Sequence, residues 1–118
     1  MNDRRDDPLR ASGLPIGFEI GNADALGLAS PHNRHGQSVR VWARSLSVMQ
    51  KEAIVLSTKT GQCWRLSSDE GPYLNGFDAA PCPLSFFSTG MVSSYLEEIL
   101  ALGARRGIVI RDAVLVQD

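Results

Sequence analysis

From Ser38 onward the apolar positions fall into a regular order. The stretch "SVRVWARSLSV" sets Val39, Val41 and Ala43 against Arg40, Trp42 and Arg44. That two-residue alternation is the signature of a strand with two distinct faces, and it predicts a strand over 39–48. An apolar run from Ala53 to Leu56, a turn signal at Lys59-Thr60-Gly61 and a second run through Cys63, Trp64 and Leu66 predict a hairpin. "DEGPYLNGFDAAPCP" then supplies glycines, prolines and an Asn-Gly pair, the composition of a long connecting loop. Residues 1–37 hold no sustained period of either kind and read as a loosely structured arm, with an α/β domain over 38–118.

The longest pattern has the helical period. Pro83 suits a first helical position, where its missing N–H would have no partner, and Gly107 suits the stop, so a helix is predicted over 83–104. At 100° per residue, Leu84, Phe87, Met91, Tyr95, Leu96 and Ile99 share a broad apolar arc, while Gly90, Ser93, Ser94, Glu97 and Ala101 lie opposite. No charge occurs from residue 79 to residue 96, which predicts burial on both sides through Leu96, the small-residue side admitting another backbone. "GIVIRDAVLVQD" reads as one or two closing strands. The fold class expected is α+β, a small antiparallel sheet with one long buried helix.

Composition narrows the functional classes. A chain of 118 residues is ordinarily one domain that can bury a core without staples. Twelve basic and 13 acidic residues give a net charge of -1, too balanced to draw in a phosphate backbone or an anionic membrane, so nucleic-acid and membrane partners are not expected. The opening "MNDRRDDPLR" lacks a signal-peptide core, which predicts a cytoplasmic location. Pro81, Pro83, four serines and Thr89 argue against a membrane-spanning reading of the uncharged run. Two cysteines, Cys63 and Cys82, make neither a disulfide framework nor a four-ligand zinc site.

Candidate chemistry is sparse. Cys82 stands between Pro81 and Pro83 at the mouth of the predicted helix, where backbone N–H groups and the helix dipole lower a thiol's pKa. Cys63, on a strand beside Trp64, reads as packing. His32 and His35 in "PHNRHG" have helical metal-pair spacing, but Pro and Gly around them argue against a helix and no third ligand accompanies them, so neither a metal nor another cofactor is expected. Ser94 lacks an evident base and reads as a small residue permitting close approach. Glu97 and Glu98 read as a solvated face, Glu97 being the better pocket candidate.

The hairpin running into "SSDE", the glycine loop "GPYLNGFD", the P-x-P-L approach, the long helix with its Gly90 and the "RRGI" exit together resemble the OsmC and organic hydroperoxide resistance (Ohr) family over residues 40–118. In that family the buried helix presents a peroxide-reducing cysteine, at a spacing that falls here on Ser94, and a glutamate follows the entering proline, where this chain has Leu84. A serine hydroxyl cannot form the sulfenic acid that this chemistry needs, so the peroxidase activity is not expected. The family also uses an arginine from the sheet region, which matches neither Arg40 nor Arg44 residue by residue. Family members continue through further strands and a second helix as interlocked dimers. The resemblance therefore implies an amino-terminal half-fold completed by another chain, either a second polypeptide or a homodimer mate. It also implies a pocket for a small organic molecule around Cys82, Leu84, Phe87, Gly90, Ser94 and Glu97. The alternative is a thiol-dependent reductase or peroxidase using Cys82.

Overall fold

A computed structural model describes residues 7–22 and 39–118; His32 and His35 lie outside the described residues. The elements in chain order are α1 (Pro8–Ser12), β1 (Gly17–Asn22), β2 (Val39–Ser47), β3 (Gln50–Ser57), β4 (Gln62–Ser68), a 3-10 turn (Pro72–Leu74) and α2 (Pro83–Arg105). The fold is mixed α+β, with a small antiparallel sheet and one long helix. The chain divides into two compact units, with the boundary between Cys82 and Pro83.

The first unit is built on a four-stranded sheet in the order β1-β4-β3-β2. β2, β3 and β4 form the meander that the alternation predicts, with Trp42 opposite Ile54 and Leu56 opposite Cys63. Leu56 and Cys63 are fully buried, and Ile20, Trp42 and Ile54 pack round them on one face. Directly paired residues of an antiparallel ladder point to the same face, so Val41, Val55 and Trp64 share the other one. There Val39 and Val41 are exposed.

Residues 8–22 correct the expectation of a loose arm. Asp7 caps α1 by accepting from the Arg10 N–H at 3.1 Å, and Pro8 occupies the first turn, where it costs no hydrogen bond. β1 then pairs antiparallel with β4, Phe18 standing opposite Arg65. Only Phe18 and Ile20 alternate here, between Gly17 and Gly21, which is too short a run for a period to emerge from the sequence.

Between β4 and α2 the chain winds back on itself. The N–H of Asp78 reaches the Glu70 carbonyl at 3.0 Å and that of Gly76 the Gly71 carbonyl at 3.1 Å. Gly76 lies so close to the Glu70 backbone that an added Cβ would fall 1.8 Å from its carbonyl oxygen. No larger residue fits that turn.

The second unit comprises α2 and residues 106–118. The helix ends where Gly107 takes a left-handed conformation (φ 69°) and the Ile108 N–H returns to the Gly103 carbonyl at 2.9 Å, the hydrogen bonding of a Schellman-type cap. Two expectations are corrected here. Residues 108–118 form no strand and join no ladder among the described residues. Within its own unit the helix is also largely uncovered where burial was expected: among its residues only Gly103, packed against Ile110, is buried. Leu84, Phe87 and Tyr95 are 70%, 67% and 58% exposed. Among the described residues no helix is long and apolar enough to cross a membrane.

Candidate functional site

The loop that leads to Cys82 is held by a polar cluster that is buried throughout. Gln50 begins β3, and Asp69 comes directly after the last residue of β4. The Gln50 Nε2 amide donates to Asp7 Oδ1 at 2.7 Å and to Asp69 Oδ2 at 3.2 Å, while Gln50 Oε1 accepts from the Leu9 N–H at 3.1 Å. Asp69 accepts from three further backbone donors: Glu70 at 2.8 Å on Oδ1, and Phe77 and Ala79, each at 3.1 Å, on Oδ2. The Asp69 N–H itself reaches the Pro81 carbonyl at 3.2 Å. Arg10 closes the far side by donating to the carbonyls of Phe77 and Asp78, both at 3.2 Å. With its oxygens occupied by N–H donors, Asp69 serves as a hub for the loop, not as a general base. Asp7, Gln50 and Asp69 carry no recognisable motif. The signal in the sequence is the run "SSDE" directly before a glycine-proline loop, where an Asx residue commonly ties a turn to its own backbone.

A second polar group crosses the core-bearing face of the sheet. Arg44 on β2 donates through Nε and Nη2 to Glu52 Oε2 at 2.9 and 2.7 Å. Arg65 on β4 approaches from the other side, its Nε 3.6 Å from Glu52 Oε1. That is too long for a hydrogen bond, and Arg65 Nε has no other partner. The rest of Arg65 is well held: Nη1 donates to the Pro15 carbonyl at 3.1 Å, and the guanidinium lies over the Phe18 ring, 5.7 Å from its centroid. Arg40, the other candidate from β2, lies over Trp42 at 5.4 Å. Arg44 and Arg65 thus tie strands together, while Arg40 stays on its own strand.

Cys82 is half-buried and directly precedes Pro83, the first residue of α2, as expected. Neither it nor Cys63 forms a disulfide. Leu84, Phe87, Gly90, Ser94 and Glu97 all lie on exposed positions of α2, and an added Cβ at Gly90 would meet nothing within 4 Å. Two open hollows of this unit lie elsewhere: one between Met91, Val92 and Tyr95 and the segment Leu115 to Gln117, the other round Leu100, Ala104 and Ile108 to Ile110. The five helical residues expected to line a pocket border neither. Among the described residues, no group of three or more His, Cys, Asp or Glu side chains is placed to hold a metal ion.

No family model matches the chain, and no curated protein or solved structure matches it.

Proposed function

We propose that this chain is an OsmC-like subunit without the peroxide-reducing cysteine, which associates with another polypeptide to form an apolar pocket for a small organic molecule. One observation carries the reading. Phe87, Tyr95, Ile99 and Leu102 stand exposed along α2 while Ser94, where a family thiol would sit, offers no redox chemistry. Exposed apolar area of this extent on a helix is a feature of surfaces that are covered in the working assembly. The order of elements, a meander, a loop pinned by Asp69, a proline-led helix and a glycine-capped exit, is the order on which the resemblance rests.

The decisive measurement is the native mass of the purified chain, alone and with co-purifying polypeptides. A mass above that of one chain is expected. Monomeric behaviour at all concentrations, in cell extract and after purification, would remove the reading. Hydroperoxide assays bear on the chemistry: the isolated chain is expected not to turn over cumene hydroperoxide with a dithiol reductant at an enzymatic rate. The half-buried position of Cys82 at the start of α2 favours one second reading, a thiol enzyme built on that residue. Rapid turnover lost in Cys82→Ser would establish it.

A further inference from the structure

A helix of five residues does not hold its shape by itself, because the turn that nucleates it fixes several torsions for one hydrogen bond. α1 therefore depends on what it is tied to. Its polar ties beyond its own residues run to the loop that ends at Cys82, or to the one amide that bridges to that loop. Arg10 Nη2 donates to the carbonyls of Phe77 and Asp78. Gln50 takes the Leu9 N–H on Oε1 and shares Nε2 between Asp7 and Asp69.

The loop depends on the same groups. Of residues 70–82 only Gly76 and Ala80 are buried, so little apolar area holds the segment in place. Directional bonds hold it instead. Residues 77–79 are gripped from two sides, by Asp69 on the N–H groups of Phe77 and Ala79 and by Arg10 on the carbonyls of Phe77 and Asp78. Between the two grips Asp78 holds φ at 53°, a left-handed conformation that favours release once either grip is lost.

We infer that α1 is a clasp on this loop: α1 and residues 77–82 open together, as a unit smaller than the sheet, and the opening governs the access of solutes to the Cys82 thiol. The inference goes beyond the proposed function and does not depend on association. The hinge is Gly13, whose φ of 64° suits glycine and whose missing Cβ would meet nothing within 4 Å. Beyond the hinge the chain is fastened to the sheet: the Pro15 carbonyl accepts from Arg65, the Ile16 carbonyl accepts from the Ser67 N–H at 2.8 Å, and β1 follows in its ladder. Arg10 is the accessible end of the clasp, its side chain 59% exposed, whereas that of Asp7 is 3% exposed.

The test joins amide exchange, read residue by residue, to alkylation of the two thiols by iodoacetamide, read by peptide mass. In the unaltered chain the Leu9, Arg10, Phe77 and Ala79 amides should share one opening equilibrium, more frequent than that of the β3–β4 ladder. Arg10→Ala should speed these amides and the alkylation of Cys82 by about tenfold, the scale of one or two lost hydrogen bonds. The β3–β4 amides and the buried Cys63 should keep their rates. Asp7→Ala, which strips α1 of its cap and Gln50 of an acceptor, should give the same pattern more strongly. Arg44→Ala, at an exposed arginine outside the clasp, should leave Cys82 as slow as before. Faster exchange at Leu9 and Arg10 with Phe77 and Ala79 unmoved would show that α1 leaves without the loop, and overturns the clasp. Cys63 and the β3–β4 amides moving in step with Cys82 would make the opening global and overturn it too. So would a Cys82 rate that does not follow the loop amides, or loop amides indifferent to both clasp variants.

Discussion

In the unit that carries the sheet, polar side chains find partners in one another, Arg65 Nε excepted. Gln50 spans Asp7 and Asp69, Asp69 gathers the N–H groups of its loop, and Glu52 takes Arg44. The unit that carries α2 has the opposite surplus: apolar residues such as Leu84, Phe87 and Ile99 that the rest of that unit leaves uncovered. A polar network has directional requirements that a short chain can meet internally, because each bond needs only one correctly placed partner. An apolar helix needs area, and residues 106–118, the rest of its unit, leave all of it but Gly103 short of burial. The sheet unit is thus specified from within, whereas the helix unit leaves its apolar arc open.

The sharpest way to break the internally specified half is Asp69→Ala. It strands the N–H groups of Phe77 and Ala79 and removes one acceptor of the Gln50 amide, all at a buried site. Each orphaned donor costs about 1–3 kcal/mol, so a total loss of about 3–5 kcal/mol is expected in urea unfolding. A loss below about 1 kcal/mol would show that the loop does not depend on its hub.

Gly90→Leu breaks the other half without touching the first. Within the chain the new side chain has open space around it, and leucine is a better helix former than glycine by somewhat under about 1 kcal/mol, so helix content should hold. If the small-residue side of α2 receives another backbone, the same leucine should weaken association by about 2–3 kcal/mol, the scale of an overpacked contact. Analytical ultracentrifugation reads the association, and thermal melting at several concentrations reads its coupling to folding. Unchanged mass with a melting temperature independent of concentration would clear this face of any partner.

The difference between the two halves also explains how much of each is legible in the sequence. β2, the hairpin and α2 declare themselves through periods of 2 and 3.6, which report local geometry, and their boundaries fall within a few residues of those expected. The register of β1 on β4 and the cluster of Asp7, Gln50 and Asp69 do not declare themselves. They join residues 19 or more positions apart through hydrogen bonds, and such contacts leave no periodic trace. The lack of charge along α2 predicts burial, but lack of charge reports only that a surface is suited to cover. Of the candidate site, the position of Cys82 at the mouth of α2 is legible, while the hollows beside Tyr95 and Ile108 depend on how residues 108–118 run after the cap.

The smallest effect concerns a cost that the sheet unit carries. Val48, in the turn between β2 and β3, holds φ at 42°, a left-handed conformation that a β-branched residue rarely adopts and that costs about 1–3 kcal/mol. Two residues on, Gln50 is fixed from three directions by Leu9, Asp7 and Asp69, so the turn has little latitude to relax. Asparagine tolerates this backbone region, and Val48 is exposed, so Val48→Asn removes strain without opening a cavity. A gain of about 1 kcal/mol is expected. Val48→Gly should gain less, because glycine also enlarges the conformational freedom of the unfolded chain. If the buried cluster imposes the strain, the gain from Val48→Asn should shrink in a Gln50→Ala background, where the turn can relax by itself. Equal gains in both backgrounds would place the origin of the strain in the turn alone.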